Sequence, residues 1–238
     1  HRCRRRLPGP AASATWADLD LDLPDPGLLA RLQSGCDALG LALEPGQAGL
    51  LLQYLELLLK WNGAYNLTAV RDPAQMVTRH LLDSLAVAPY LRGQDIIDVG
   101  TGAGLPGIPL AILYPGRRIS LLDSNGKKTR FLFQVKTALR LDNMLVHHAR
   151  AESFRPPAPY DAVLSRAFAS LADMVAACRH LLAPGGCFLA MKGAYPTREL
   201  AQLAPLYAVK AVRELSIQGL DEQRHLVELV IQDNGEAP

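Results

Sequence analysis

The sequence has few cysteines, and their positions suit neither a metal site nor a disulfide framework. They form no Cys-x-x-Cys pair and no Cys/His spacing typical of metal ligands, and they stand alone at Cys3, Cys36, Cys178 and Cys187. We therefore expect no structural metal and no resident metal cofactor. Isolated cysteines are typical of a reducing compartment, so we expect a cytoplasmic protein.

Long apolar runs and a strong charge bias are also lacking. No apolar stretch approaches the roughly 18 residues that a membrane-spanning helix needs, so no membrane association is expected. The formal net charge is only +2, and any surface that binds nucleic acid must therefore be a local patch. With 238 residues, of which 49% are hydrophobic, the chain is long enough for one α/β core with an appendage.

The composition divides the chain into three parts. Residues 1–26 combine arginines, Pro/Ala/Ser and an acidic run that cannot bury a core, so this part is predicted to be disordered or an upstream extension. Residues 27–92 have helical periodicity, including a helix from about Gln47 to Trp61 whose leucines recur at i, i+3 and i+4. We expect this helical segment to pack on a main domain formed by residues 93–238.

The main domain begins with a strand, a glycine turn and a helix. A β-branched run, Ile96–Val99, is typical of a buried strand, and an apolar segment of helical length follows at Ile108–Leu113. Between them lie closely spaced glycines: Gly100, Gly102, Gly104 and Gly107. Glycines here let the chain reverse and leave backbone N–H groups open to a ligand. The pattern predicts a nucleotide-type site, with Gly100, Gly102 and Gly104 as contacts.

The next strand, Arg118–Asp123, ends in an acid 23 positions after Gly100. This is the distance at which a βαβ unit returns its second strand beside the first, so Asp123 is predicted to accept from the two ribose hydroxyls of an adenosine-type ligand. The dinucleotide fingerprint G-x-G-x-x-G would need glycine at position 105, where Leu105 stands, which argues against an NAD-dependent oxidoreductase. The run D-x-G-x-G-x-G instead resembles motif I of methyltransferases that use S-adenosylmethionine (SAM).

Later strands are predicted to end at the same edge of the sheet. The fourth strand ends at Ser165-Arg166 and the fifth at Lys192, and ligands of doubly wound sheets bind outside the carboxyl ends of the strands. Arg166 is therefore the first functional candidate. We expect a seven-stranded, mostly parallel sheet with one antiparallel strand, helices on both faces and a terminal hairpin.

Several residues are candidates for contact with a substrate nucleic acid. Two amides on a segment predicted to be irregular and exposed, Asn62 and Asn66, suit base recognition, although turns and helix caps explain such residues equally well. Arg79 and Asp83 are predicted to share a helix face and pair, with His80 at the mouth of the site. Between residues 117 and 140 there are seven Lys/Arg and one acid, so a phosphate-binding patch is predicted with contacts from Lys127, Lys128 and Arg130.

Five segments together resemble the RsmG (GidB) family of bacterial methyltransferases, which modify N7 of a guanine in the 530 loop of 16S rRNA. They are WNGAYNLTAVRDP, RHLLDS, IDVGTGAGLPGIPLAI, LLDSNGKKTRFL and SRAFAS. The resemblance implies a Rossmann-like methyltransferase fold, SAM as cofactor with S-adenosyl-L-homocysteine (SAH) as product, and small-subunit rRNA or a 30S assembly particle as partner. We expect a monomer, although the sequence does not decide the oligomeric state. It implies SAM contacts from Gly100, Leu105, Asp123, Ala151, Glu152 and Arg166, with Arg166 and Lys192 near the guanine. Ala103 departs from the family pattern, which often has proline there.

The proposed reaction demands little acid–base chemistry. Guanine N7 carries an in-plane lone pair and loses no proton on methylation, so positioning is expected to limit the rate. Arg166 and Lys192 are accordingly assigned to orienting the base through O6 and phosphates. Alternatives are a methyltransferase for another RNA base or a small molecule, and a silent RNA-binding module. A cytosine-C5 enzyme would need a cysteine nucleophile where Ser165-Arg166-Ala167 stands.

Overall fold

A computed structural model describes residues 25–232 of the chain. Most of the predicted N-terminal extension therefore lies outside the described residues, but Asp25 caps the first helix with its side chain and Pro26 begins it. The helices are α1 Pro26–Ala38, α2 Gln47–Tyr65, α3 Pro73–Met76, a π-helical turn Val77–Leu82, α4 Asp83–Leu85, α5 Gly107–Leu113, α6 Gly126–Leu139, α7 Leu171–Cys178 and α8 Thr197–Ala201. Short 3-10 turns cover Ala88–Tyr90, Ala151–Ser153 and Arg179–Leu181.

Seven strands form one sheet in the order β3-β2-β1-β4-β5-β7-β6. Their bounds are β1 Asp95–Val99, β2 Arg118–Asp123, β3 Met144–His148, β4 Tyr160–Ser165, β5 Leu182–Lys192, β6 Tyr207–Glu214 and β7 His225–Ile231. Strand β7 runs antiparallel to both β5 and β6, and the remaining pairs are parallel. The predicted seven-stranded sheet with one antiparallel strand is confirmed.

The strand order reverses between β1 and β4, and this reversal places the site. Asp98 on β1 lies opposite Leu121 on β2 and Leu164 on β4. The turn that follows β1 therefore lies between the carboxyl ends of β2 and β4, where doubly wound sheets bind their ligands. Neighbouring residues of β1 serve opposite faces of the sheet, since Ile96 joins the core beneath α2, α5 and α6, and Ile97 joins the core beneath α7.

Helix α2 is attached to the glycine turn and to α5 by buried polar contacts as well as by its leucines. The Tyr54 hydroxyl donates to the carbonyl of Ala103 at 2.8 Å. The Gln47 amide donates to the carbonyls of Ile112 and Leu113 at 2.9 and 3.0 Å, which satisfies the last turn of α5. The N-terminal helices thus hold the loop that forms the floor of the site.

Replacing Tyr54 by Phe should lower the free energy of unfolding by about 1–3 kcal/mol, because the variant leaves the buried carbonyl of Ala103 without a donor. Urea denaturation measures this change. Tyr65→Phe is the matched control on the same helix, since the Tyr65 ring stacks on Trp61 near the helix end and is only half-buried. Equal stability of both variants would show that the Tyr54 hydroxyl does not hold the turn.

Candidate functional site

The turn after β1 has a backbone that only glycine adopts readily. Gly100, Gly102 and Gly104 have φ angles of 69°, 62° and 92°. A Cβ atom at Gly100 would also lie 2.5 Å from the Cβ of Ala167, so the side chain of Ala167 leaves no room for one. At Gly102 the space beyond is open, with the Lys128 ammonium 3.9 Å away. The turn therefore presents bare peptide groups to a cavity.

Two carboxylates hold this turn in place. Asp98, which is fully buried, accepts from the Thr101 hydroxyl at 2.6 Å and from the Gly107 N–H at 2.8 Å, both at Oδ2. Asp123, at the end of β2, accepts from the Gly102 N–H at 2.9 Å through Oδ2 and from the Asn125 N–H at 2.8 Å through Oδ1. Each Asp123 oxygen keeps a further lone pair with which it can accept from a ligand.

Asp98 also leaves one oxygen, Oδ1, buried without a partner. Burial raises the pKa of Asp98 to about 6, against the opposing effect of its two hydrogen bonds. Sequence reasoning included this residue in the D-x-G-x-G-x-G motif but assigned it no role. The missed signal was the acid two residues before the turn, which accepts from the Thr101 hydroxyl and from the N–H of Gly107 at the start of α5.

The titration of Asp98 predicts a pH dependence of stability. Its pKa is about 6 in the folded chain against an ordinary 3.8, so the folded state binds more protons between these values and the free energy of unfolding falls as pH rises from 4 to 6. The slope from one group is at most about 1.4 kcal/mol per pH unit. Urea denaturation at several pH values should show that Asp98→Asn removes this component. A parallel pH profile for the variant would contradict the prediction.

Two cavities meet at the glycine turn. The first, of about 300 Å³, is lined by Asp123 and Lys128 from the β2 side, by Ala151 and Glu152 after β3, and by Phe168 after β4. The second, of about 190 Å³, is lined by Thr68, His80, Gly102, Leu105 and Arg166. Gly100 and Ala167 belong to both. The structure thus brings the predicted cofactor-binding residues to one edge of the sheet, except Gly104, which lines neither cavity and faces the side chains of Ile108 and Leu132. Arg150 and Ala167 line this space and were not predicted.

Arg166 is held at the second cavity by a buried carboxylate. Its Nη1 lies 3.4 Å from Oδ2 of Asp83, whose Oδ1 accepts from Nε of Arg224 at 3.1 Å. Burial raises the pKa of Asp83, and the two guanidinium groups oppose that rise. The predicted pair of Arg79 with Asp83 is wrong, because distant arginines occupy the carboxylate and Arg79 instead pairs with Glu222 at 2.6 Å.

His80 is buried in the wall of the second cavity, with Nε2 2.8 Å from the Thr68 hydroxyl. Burial lowers the pKa of His80, which favours the neutral ring.

Asn62 is not on an exposed irregular segment as predicted, because α2 continues to Tyr65 and buries it. Its amide donates to and accepts from the backbone of Thr68, both at 2.9 Å, and so closes the turn after the helix. Asn66 ends α2 and is exposed, with φ of 50°.

Lys192 lies at the carboxyl end of β5 as predicted, but its ammonium is already surrounded by acceptors. It contacts Glu199 at 2.8 Å and donates to the carbonyls of Phe168 and Ala169 at 3.2 and 3.3 Å. The side chain is only 12% exposed. This geometry gives Lys192 the role of bracing the loop after β4, and its contact with a guanine stays a prediction.

The basic residues between 117 and 140 do not form the single patch that was predicted. Arg117 stacks on Tyr114 and Arg118 pairs with Asp95 at the amino end of the sheet. Near the other end of α6, Lys136 donates to the carbonyl of Met144. A helix of 14 residues is about 21 Å long, so only its first turns come near the cavity. There Lys128 lines the first cavity, and Lys127 and Arg130 are exposed on the same two turns.

The sheet order, the glycine turn and the acid after β2 define the Rossmann-like fold of SAM-dependent methyltransferases. Solved structures share this fold. An O-methyltransferase from Bacillus cereus in complex with SAH is 18% identical, with a TM-score of 0.56, and the match covers 85% of this chain and 97% of that one. TrmN from Thermus thermophilus is 19% identical, with a TM-score of 0.51, over 66% of this chain and 53% of that one.

Within that class, the chain belongs to the GidB family, described as rRNA small subunit methyltransferase G, whose model matches residues 47–227. Relatives named ribosomal RNA small subunit methyltransferase G include a protein of Pseudomonas aeruginosa, 54% identical over 198 residues that cover 83% of this chain and 92% of the relative. A second, from Salmonella arizonae, is 50% identical over 200 residues that cover 84% and 97%. The resemblance found in the five sequence segments is confirmed.

Across residues 25–232, no three His, Cys, Asp or Glu side chains converge in a way that could hold a metal ion. None of the helices in the same range has the length and apolar content to cross a membrane.

Proposed function

We propose that the chain transfers a methyl group from SAM to N7 of a guanine in the 530 loop of 16S rRNA. The observation that carries the proposal is the pair of cavities that meet at Gly100 and Ala167, with the Asp123 carboxylate in the wall of the first. The names of the relatives support small-subunit rRNA as the substrate.

The residues present fit SAM. The first cavity suits the adenosine, with Asp123 accepting from the ribose and with Ala151 and Glu152 beside the adenine. The second suits the amino-acid end, because the backbone of the glycine turn lines it at Gly100, Gly102 and Ala103 and leaves room for a carboxylate. The unpartnered Oδ1 of Asp98 is buried near the carboxyl end of β1, beneath the turn, and lines neither cavity. The negative charge of this carboxylate beneath the turn favours the ammonium group of the same ligand.

The reaction assigns positioning roles to the residues of the second cavity. When bound, SAM supplies a methyl group that its sulfonium charge has already activated. Arg166 is one-third exposed at the cavity shared with the turn, so it can donate to O6 of the guanine and leave N7 free. The neutral ring of His80 adds no charge where the product base becomes cationic. We assign Lys127, Lys128 and Arg130 to phosphate contacts and Asn66 to the substrate, because Asn66 directly precedes Leu67 and Thr68 in the lining of the second cavity.

The test is to incubate the protein with SAM labelled in its methyl group and small-subunit RNA from cells that lack the modification. The RNA is offered naked and as the 30S particle, and the modified base is mapped by mass spectrometry. A single 7-methylguanosine in the 530 loop, on either form, is the expected product. Methylation of another base, or of free nucleotides and small molecules alone, would support the alternatives and reject the proposal.

A further inference from the structure

A third cavity adjoins the first and has no assigned role. It measures about 500 Å³ and is lined by Ala169, Lys192, Gly193, Tyr195, Arg198 and Glu199. Its wall continues that of the first cavity, because Phe168 lines the first and Ala169 lines the third. The Lys192 ammonium donates to the carbonyls of both residues, so the two walls are fastened together.

Tyr195 presents an aromatic face to solvent in this cavity. The residue is 54% exposed, and it is one of four large hydrophobic side chains that are exposed in the described part of the chain. The ring nevertheless has a support, since His225 meets it edge to face at 5.6 Å and 88°. The His225 Nδ1–H donates to the carbonyl of Gly193 at 2.7 Å, and this contact orients the supporting ring. Pro196, which follows Tyr195, is buried and restricts the backbone before it.

The charge on the cavity wall favours a phosphate. Lys192 and Glu199 pair at 2.8 Å and largely cancel each other. Arg198 is exposed, and no carboxylate of the described chain lies within ion-pair distance of it. The cavity thus combines an aromatic face with one uncompensated guanidinium group, which is the chemistry that proteins use to bind single-stranded RNA.

We propose that this cavity binds the nucleotide next to the target guanine, with its base stacked on Tyr195 and its phosphate on Arg198. The inference rests on the proposed function. The N7 atom of a guanine faces the deep and narrow major groove of A-form RNA, so the target must leave its stack to reach the second cavity. Its neighbour then loses a stacking partner, and the Tyr195 ring takes that place beside the transfer site.

The first experiment compares the variants Y195A, Y195F and Y195W. Stacking on an aromatic ring contributes about 1–3 kcal/mol per base, so Y195A should weaken RNA binding and lower kcat/KM by roughly 5- to 100-fold. Phe and Trp should restore both, and the Kd for SAM should not change in any variant. Affinity is measured by fluorescence anisotropy of labelled 530-loop RNA in the presence of SAH. Val209→Ala, an exposed apolar residue on edge strand β6, is the control.

The second experiment removes the base rather than the ring. RNAs with an abasic site on the 5′ or the 3′ side of the target are compared for the wild type and Y195A. One abasic site should weaken binding by the wild type and have no further effect on Y195A. Arg198→Ala should reduce the salt dependence of RNA binding by about one phosphate contact.

The outcomes separate this inference from the proposed function. If the wild type forms no 7-methylguanosine, the proposed function fails, and RNA affinity still decides the inference. Equal affinity of the wild type and Y195A for the RNA, or equal losses on abasic RNA in both proteins, would overturn it.

Discussion

Asp123→Ala should raise the Kd for SAM by about 100-fold or more, the largest effect on binding that the site predicts. The variant loses the acceptor for the ribose hydroxyls and also the bond that holds the Gly102 N–H, so the glycine turn loses its attachment to β2. Hydrogen bonds to a charged acceptor contribute about 1.5–3 kcal/mol each, and two of them account for the expected change. Isothermal titration calorimetry with SAM measures it.

Asp142→Ala is the matched control, because this carboxylate is exposed in the loop before β3 and lies away from both cavities. Its Kd should equal that of the wild type. Asp123→Asn should fall between the two, because the amide oxygen still accepts one bond but carries no charge. A Kd for Asp123→Ala within threefold of the wild type would show that the first cavity does not bind the ribose.

Arg166→Ala should lower the rate of methyl transfer to rRNA by about 100-fold, the largest effect on turnover. Misplacement of a reacting group by about 1 Å can cost this much, and Arg166 is the cation at the second cavity that we assign to holding the guanine. The Kd for SAM should rise much less than the rate falls. Arg166→Lys should restore little, because an ammonium lacks the planar fork of donors.

The variant Lys192→Ala tests whether Lys192 has a different role from Arg166, the other cation at the carboxyl edge of the sheet. Because the Lys192 ammonium braces the loop after β4 and pairs with Glu199, its loss should lower the melting temperature more clearly than it lowers single-turnover transfer. Single-turnover kinetics and thermal unfolding of both variants give the comparison. Unchanged turnover in both Arg166→Ala and Lys192→Ala would remove the assignment of these residues to orientation.

The parts of the site that were predicted correctly depend on short-range patterns. A β-branched strand, a run of glycines and an acid at the end of the next strand specify one βαβ unit, and the unit places Gly100 beside Asp123 in any doubly wound sheet. The position of Arg166 was predicted in the same way, because a residue that directly follows a parallel strand lies at the edge of the sheet where ligands bind.

The parts that failed depend on tertiary contacts. The partner of Asp83 could not be read from the spacing on one helix, because Arg224 comes from the loop before β7 and Arg166 from the end of β4. Asn62 has an amide side chain of the kind that can hydrogen-bond a nucleic-acid base. It lies in the last turn of a helix, however, where the amide hydrogen-bonds the backbone of Thr68. The basic residues between 117 and 140 are close in sequence but lie at opposite ends of the sheet. They therefore do not form one surface.

The most direct measurement is a crystal structure of the protein with SAH. We predict ribose hydroxyls within hydrogen-bond distance of Asp123, the adenine beside Ala151 and Glu152, and the amino-acid end at Gly102 in the second cavity. A nucleoside bound outside these two cavities, or a ribose without contact to Asp123, would contradict the proposed site.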